Sequence, residues 1–410
     1  MALIVQKYGG TSVGDPDRIR SAARRVGRAL EGGHRVVVVV SAMAGETDKL
    51  LGLARSLAEF PDQREVDSLL SSGERVTSSL LTIALIDAGY PAKSFTGLRT
   101  GILTTGNHTD ARIRTVVADE IVKALEEGRV PVVAGFQGVD EKRNVTTLGR
   151  GGSDLTAVAM AAALQADRCQ IYTDVTGVFT ADPRIVPEAR KLNRLSYDEM
   201  LEMAGLGAKV LQGRSVEFAK KYNVEMEVRS SFTDEEGTLV TREDEGMERV
   251  VVSAVNCDRS QAQVTLEGIH DQPGIAGKLF GDLAEAGIVV DMIVQNIGSH
   301  GKADISFTVP TDSLPLTRKV METTGRDLGA SAVRTNDQIA KVSIVGIGMK
   351  SHSGIAARMF QALADDGINI LMISTSEILV SCVVDSKYAE LAVRTLHEIF
   401  GLAQSSDIPA

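Results

Sequence analysis

A chain of 410 residues exceeds the roughly 250 to 300 at which a single hydrophobic core stops growing, so two or more domains are expected. Apolar residues make up 43% with no long polar tract, which excludes a disordered protein, and a net charge of -10 argues against nucleic acid or an anionic membrane as the main partner. No apolar run approaches the ~18 residues of a membrane span, the start MALIVQKYGG does not suit a signal peptide, and Cys169, Cys257 and Cys382 are isolated, so neither a disulfide framework nor a cysteine metal site is expected and a cytoplasmic location is.

The first stretch with chemistry in it is LIVQKYGGTSVG, Leu3 to Gly14. An apolar strand runs into Lys7, then two glycines and two hydroxyl residues, and a helix start follows at Asp15-Pro16, an N-cap with proline at N1. Gly9 and Gly10 let backbone N–H groups approach an anion, Thr11 and Ser12 add donors, and Lys7 adds a mobile point charge, so the loop reads as a phosphate cradle. It is neither a Walker A loop nor GxGxxG, and a Gly-Gly after a strand is also found in ordinary turns, so support must come from elsewhere. The six histidines show no ligand spacing, so any catalytic metal is expected to be Mg²⁺ carried in with a nucleotide.

Ile19, Ala22, Ala23, Val26 and Leu30 share a helical face that ends at Gly32-Gly33, and Arg35 to Met43 is a β-branched run of a strand buried on both faces. Such a βαβ unit predicts a doubly covered, mainly parallel sheet with ligands at the carboxyl ends of its strands. After the second strand Thr47 can cap a helix starting at Asp48, and Glu74 follows Gly73 at another helix start, where a glutamate is ordinarily a surface residue that complements the helix dipole. Val130 to Phe136 is a further buried strand. In TTLGRGGSDLTAVAM three glycines surround Arg150, whose planar fork suits a carboxylate, and Gly152, Ser153 and Asp154 open an alanine-rich helix whose start is a ready anion site. Arg168 to Val175 reads as a strand ending in Thr173-Asp174, Asp182-Pro183-Arg184 as a rigid turn, Ser196 and Glu199 as a capping box, and Gly207 to Val210 as the opening of the next helix, with Lys209 placed to reach a phosphate. VEMEVRS and GTLV look like closing strands, and REDEGMERV like a surface linker.

Beyond it lies an internal repeat. AQVTLEGI and PGIAGKLFGDLAEAGIVVDMIVQNI, from Ala262, align with AKVSIVGI and SGIAARMFQALADDGINILMISTSEI, from Ala340, each reading as a βαββαβ module. The second copy ends at its helix, so the otherwise unused strand Val250 to Cys257 is expected to complete it by crossing back. The expected domains are therefore 1–245, 262–336, and 250–257 with 340–402, and the open sheet edges predict an oligomer.

KYGGTSVG, SAMAGETDKLL, SSGERVT, LGRGGSDLTAVAMAAALQADRCQIYTDVTGVFTADPRIV and GAKVL, followed by paired modules ending in VQNI and ISTSEI, resemble the bacterial aspartate kinases over essentially the whole chain. The resemblance implies a three-layer αβα amino-acid-kinase domain followed by two ACT domains, and transfer of the γ-phosphoryl of ATP to the side-chain carboxylate of L-aspartate at the head of lysine, threonine and methionine biosynthesis. It implies a phosphate loop of Lys7, Gly9, Gly10, Thr11 and Ser12, with Asp154 organising Lys7 and the metal-nucleotide. It also implies an aspartate site of Ser41, Thr47, Glu74, Phe136, Arg150, Gly152 and Ser153, and a nucleotide site that adds Thr173, Asp174, Phe179, Thr180, Asp182, Arg184, Lys209 and Val210. Asp271, Gly274, Ala276, Asp291, Gln295, Asn369 and Ile370 sit where ACT domains hold an effector amino acid, here threonine, lysine or both, between facing modules.

The residue chemistry agrees with that assignment, since Glu74 suits the substrate ammonium and Arg150 its α-carboxylate. Phe179 stands where tyrosine is frequent, and Ala44-Gly45-Glu46 and Gln212-Gly213 depart from the commoner pattern, which bears on local loop geometry. A kinase of the same fold acting on an N-acetylated glutamate or carbamate is disfavoured by Glu74 and the paired modules, and a silent amino-acid sensor by Lys7, Arg150, Asp154 and Asp182. Met247, just upstream of the modules, allows an internal start and an α₂β₂ assembly in place of a homo-oligomer. Replacing Lys7 by alanine is expected to impair phosphoryl transfer while leaving folding little changed.

Overall fold

A computed structural model of the chain describes residues 1–207, 210–244, 251–297 and 301–404, so Lys209 and Met247 lie outside the described residues. Two compact units emerge, Met1–Val178 with Lys191–Gly205 and Lys209–Met247, and Phe179–Arg190 with Leu206–Ala208 and Glu248–Ala410.

In the first unit the strands are β1 (Leu3–Tyr8), β2 (Arg35–Val40), β3 (Ala92–Phe95), β4 (Ile102–Thr104), β5 (Ile113–Val116), β6 (Val130–Ala134), β7 (Gln137–Val139), β8 (Val145–Thr147), β9 (Arg168–Thr173), β10 (Arg194–Ser196), β11 (Met226–Ser230) and β12 (Thr238–Thr241). The helices are α1 (Pro16–Glu31), α2 (Glu46–Leu57), α3 (Gln63–Leu70), α4 (Ser72–Asp87), α5 (Asp119–Glu126), α6 (Gly152–Ala163), α7 (Tyr197–Gly205) and α8 (Gly213–Tyr222). The main sheet runs β10-β12-β11-β9-β1-β2-β6-β3 and is parallel except between β11 and β12. Strand β2 owes its central place to five successive valines, all buried. Val36, Val38 and Val40 pack with Ile19, Ala22, Val26, Leu81 and Leu85 of α1 and α4, while α6 covers the opposite face. This is a three-layer αβα arrangement.

Local chemistry accounts for most helix ends. The Asp15 carboxylate accepts the Arg18 N–H at 2.9 Å, and Ser196 and Glu199 exchange reciprocal bonds at the start of α7. Two expected starts move. Helix α2 opens at Glu46 because Gly45, in left-handed backbone, caps it, so Thr47 lies inside the first turn and caps nothing. Helix α8 opens at Gly213, after the extended Gln212, and not at Gly207. A second sheet, β5-β4-β7-β8, was not anticipated, because strands of three or four residues carry too little periodicity to be recognised.

The second unit contains β13 (Ala254–Asp258), β14 (Gln261–His270), β15 (Ile293–Ile297), β16 (Lys302–Pro310), β17 (Ala332–Asn336), β18 (Ile339–Val345), β19 (Met372–Thr375) and β20 (Leu379–Asp385), with α9 (Ile275–Glu285), α10 (Leu314–Asp327), α11 (Ile355–Asp365) and α12 (Ala389–Ile399). They form two antiparallel sheets, β15-β16-β14-β17 and β13-β18-β20-β19, each with its own apolar core. Strand β13 lies antiparallel beside β18 as β17 lies beside β14. Met292 and Val294 of the first module pack with Ile339, Met372 and Val383 of the second, and Asp291 pairs across with Lys341. Among the described residues no helix is long and apolar enough to cross a membrane.

Gly346, in extended backbone after β18, seats the lead-in to β13, since a Cβ there would stand 2.4 Å from the Val251 carbonyl oxygen and 2.8 Å from Val252 Cα. Backbone atoms cannot step aside as a side chain can. Gly346→Ala is expected to cost about 1 to 3 kcal/mol, read as a lower denaturation midpoint, and an unchanged midpoint would show that β13 is not held there.

Candidate active site

Side-chain parity along β1 decides where the charge goes. Gln6 and Tyr8 face α1, and Tyr8 joins the core beneath α1 and α4, so Lys7 points to the opposite face, beneath α6. There its Nζ lies 2.6 Å from Asp154 Oδ1 in the first turn of α6, with both side chains about 10% exposed. The contact is a buried, charge-assisted ion pair. The pair also changes the expectation for Lys7→Ala, because removing the lysine strands a buried carboxylate at a folding cost of about 3 to 5 kcal/mol.

The glycine loop after β1 is held from three sides. Gly9 N–H donates to the Tyr172 carbonyl at 3.1 Å, Ala44 N–H to Gly10 O at 3.2 Å, and the Ser12 hydroxyl to Tyr172 O at 3.3 Å. Gly9 and Ser12 have therefore spent the protons that the sequence reading offered to phosphate. The backbone N–H groups of Gly10 and Thr11 have no partner among the described residues and remain available. Gly10 is needed here for close approach, since a Cβ would meet the Ala42 carbonyl oxygen at 2.8 Å.

Glu74, in the first turn of α4, is 3% exposed. Its Oε1 accepts the Ala42 N–H at 3.0 Å, and its Oε2 is buried with no partner. Burial pushes the carboxyl up to about 7, against which the Ala42 bond works only in part. Ser41 lies at the end of β2 and donates its N–H to Tyr8 O at 3.1 Å. Phe136, after β6, has φ of +66°, a strained conformation for an aromatic residue, held by bonds from its N–H to Thr156 Oγ1 and from Leu148 N–H to its carbonyl. Gly152 and the buried Ser153 open α6 beside it. The loops after β1, β2 and β6 and the first turns of α4 and α6 thus gather Lys7, Gly10, Thr11, Ser41, Glu74, Phe136, Ser153 and Asp154. Thr47 is half-buried in the first turn of α2, and Arg150 is exposed with no partner among the described residues.

Two residues that the sequence reading missed frame the Arg150 loop. Asp67, wholly buried, accepts Thr147 Oγ1 at 2.5 Å, the Thr109 N–H at 3.0 Å and pairs with His108 Nδ1 at 2.7 Å. Arg214 donates to Leu148 O and Asp110 Oδ1, each at 2.8 Å, and to Ala111 O at 3.0 Å. No local pattern signals either, because their partners are far away in sequence.

The positions that the resemblance gives to the nucleotide divide between the units. Thr173 and Asp174 end β9 in the first, where Thr173 Oγ1 donates to Asp174 Oδ1 at 3.1 Å, and Val210 is half-buried ahead of α8. Phe179, Thr180, Asp182 and Arg184 belong to the second. Thr180 corrects the expectation, since it is fully buried with its hydroxyl 2.9 Å from His397 Nε2 and also accepting the Arg190 N–H, while its own N–H and carbonyl bond Arg190 and Val255. All its polar groups serve the fold. Asp182 and Arg184 neutralise each other through bonds of 2.7 to 3.2 Å, which hold the Asp182 carboxyl below its usual range.

Of the expected effector positions, Gly274 caps α9 in left-handed backbone and Ala276 is exposed in its first turn. Asp271, Gln295 and Asn369 are exposed, and Ile370 is half-buried ahead of β19. Asp291 departs from expectation, because its carboxylate is the counter-ion of Lys341, whose side chain is 5% exposed. Among the described residues no three His, Cys, Asp or Glu side chains could jointly hold a metal ion.

Glu74 ties the site to stability. Its carboxyl is held above the unfolded value of about 4.5, so this contribution to stability is present below that pH and lost as pH rises through about 7, by up to about 3 kcal/mol. Glu74→Gln is expected to melt higher than the wild type at pH 8 and equally at pH 4.5. Equal melting at both would mean that the carboxylate is not desolvated.

The Amino acid kinase family pattern matches residues 2–230, and an ACT domain pattern matches 264–324 and 342–400. An aspartate kinase of Pseudomonas putida is 54% identical over 411 aligned residues that cover 100% of this chain and 99% of that protein. E. coli aspartokinase III in complex with aspartate and ADP, in the R-state, is 28% identical with a TM-score of 0.80, covering 97% of this chain and 99% of that one. The same enzyme in complex with lysine and aspartate, in the T-state, is 28% identical with a TM-score of 0.77 and the same coverage. With a buried lysine–aspartate pair at the tip of its central strand and full-length similarity to such enzymes, this chain belongs to the amino acid kinase family and, within it, to the aspartate kinases.

Proposed function

We propose that the chain transfers the γ-phosphoryl group of ATP to the side-chain carboxylate of L-aspartate, giving 4-phospho-L-aspartate as the first step toward lysine, threonine and methionine. The observation that carries this reading is the partnerless Glu74 Oε2, a buried carboxyl oxygen that an amino-acid ammonium would satisfy. With the ammonium on Glu74 and the α-carboxylate on Arg150, the second carboxylate is left to face Lys7. Aspartate bound to the E. coli enzyme supports the assignment of substrate, and ADP bound to it supports a nucleotide here.

The acceptor carboxylate is ionised at pH 7 and needs no general base, so catalysis reduces to alignment and charge stabilisation. Two like charges ~4 Å apart repel by about 4 kcal/mol at an effective dielectric of 20. Lys7, Arg150 and the N–H groups of Gly10 and Thr11 oppose that repulsion. Mg²⁺ carried with the nucleotide would shield the phosphates, and the carboxylate of Asp154, which already steadies Lys7, has the chemistry to hold such an ion.

Regulation belongs to the same reading. The lysine-bound T-state of the E. coli enzyme supports an amino-acid effector for the paired ACT modules, with threonine the second candidate. A coupling of ~1 to 3 kcal/mol to the kinase site is the usual scale. The edge strands β15 and β19 carry the exposed Ile293 and Ile373, which supports an oligomer joined through the modules.

Incubation with aspartate, Mg-ATP and hydroxylamine is expected to trap an acyl phosphate, with loss of signal on adding lysine, threonine or both. No hydroxamate with aspartate, but a signal with N-acetylglutamate or carbamate, would overturn the choice of acceptor. Activity indifferent to both amino acids would overturn the regulation. Lys7→Met is expected to lower kcat by about 100- to 1000-fold, from loss of ~3 to 4 kcal/mol of charge stabilisation, and a variant above a tenth of wild-type kcat removes Lys7 from the mechanism. KM for aspartate is expected to rise as pH falls below 7, because Glu74 must be ionised to pair with the ammonium.

A further inference from the structure

The mechanism leaves unexplained a cluster of hydroxyl groups at the ends of β9 and β11. Ser231, the first residue past β11, donates its N–H to the Thr173 carbonyl at 2.8 Å, and its hydroxyl donates to the hydroxyl of Ser12. Ser12 Oγ–H in turn donates to Tyr172 O, the same carbonyl that receives Gly9 N–H. Because the sheet order is β11-β9-β1, this relay spans three parallel strand ends and terminates on Tyr172 O of β9, the carbonyl to which the glycine loop is tied.

The segment carrying Ser231 is itself restrained from α1. Arg25 donates to Ser231 O at 3.3 Å, Thr233 O at 3.1 Å and Asp234 Oδ1 at 2.9 Å, and Arg28 takes both oxygens of Asp234. Arg18 donates to Thr11 O at 2.7 Å with its guanidinium 5.3 Å from the centre of the Phe232 ring. Ser12 is 3% exposed, and its hydroxyl is fixed between the Tyr172 carbonyl that accepts its proton and the Ser231 hydroxyl that donates to it.

We infer that Ser231 is a positioning residue of the phosphate loop, acting through Ser12 to hold the loop so that the unspent N–H groups of Gly10 and Thr11 face the nucleotide. The inference rests on the kinase reading above. Ser12 is then a strut and not a phosphate ligand. With Ser231 gone, Ser12 loses its donor and the loop loses its tie to β11, while Glu74 and Ser41 on the aspartate side keep every bond they have.

The test compares wild type, Ser231→Ala, Ser231→Thr, Ser12→Ala and the Ser12→Ala/Ser231→Ala double variant. Each is assayed for KM of ATP, KM of aspartate, kcat and MgATP binding by calorimetry. Ser231→Ala is expected to lower kcat/KM for ATP by about 10- to 50-fold with KM for aspartate within about twofold, and Ser231→Thr, which keeps the hydroxyl, to recover most of the loss. The double variant is expected to be no worse than the poorer single one, as for two residues acting in one chain. Additive losses, an unchanged Ser231→Ala, or equal rises in both KM values with a lower melting temperature would each overturn the assignment. A wild-type chain that binds no MgATP overturns the kinase reading and the assignment together, whereas one that binds it as well as Ser231→Ala does overturns the assignment alone.

Discussion

The ion pair between Lys7 and Asp154 is the constraint on which the first unit depends. A lysine at the penultimate position of a central strand can point to either face of a sheet covered on both sides, and the register of β1 aims this one at Asp154. A slip of one residue in β1 would drive the ammonium into the core beneath α1 and put Tyr8 against Asp154. Pairing with β2 over the whole length of β1, and with β9 from Ile4 to Tyr8, prevents that slip, so the position of one charge follows from the register of three strands.

The site holds two buried carboxylates in different circumstances. Asp154 faces a fixed cation, whereas Glu74 has one backbone N–H and an empty oxygen. The first is settled within the chain and the second is not, which is why Glu74 resists ionisation near neutral pH and Asp154 has its charge answered. On the proposed reading an incoming ammonium would remove that resistance, linking substrate affinity and proton release through the same burial that weakens the fold at high pH.

In the second unit, equivalence between the modules comes from a strand out of sequence order. β13 precedes the first module yet pairs in the sheet of the second, so neither copy of the repeat can be separated at a single boundary. The apolar contact around Met292 and Met372 and the Asp291–Lys341 pair join the modules across that arrangement. An ammonium on a fully buried strand needs a counter-ion, and this requirement removes Asp291 from the set of side chains free to greet an effector.

Much of the fold could be read along the chain because its signals are local: the valine run of β2, the Asp15-Pro16 cap, the Ser196 and Glu199 box and the repeated module pattern each express their own physics within a few residues. The second copy's want of a last strand even indicated where one must be found. The glycine loop and the Arg150 loop were legible as residue types, because glycines beside a lysine or an arginine, at a strand end or a helix start, are the materials of an anion site. What the sequence could not decide was which protons were already spent. That Gly9 and Ser12 donate inward, that Thr180 is sealed by His397, and that Asp67, Arg214 and Ser231 brace the loops all depend on partners far away in sequence, and hydrogen-bond saturation is a property of proximity that only the folded chain creates.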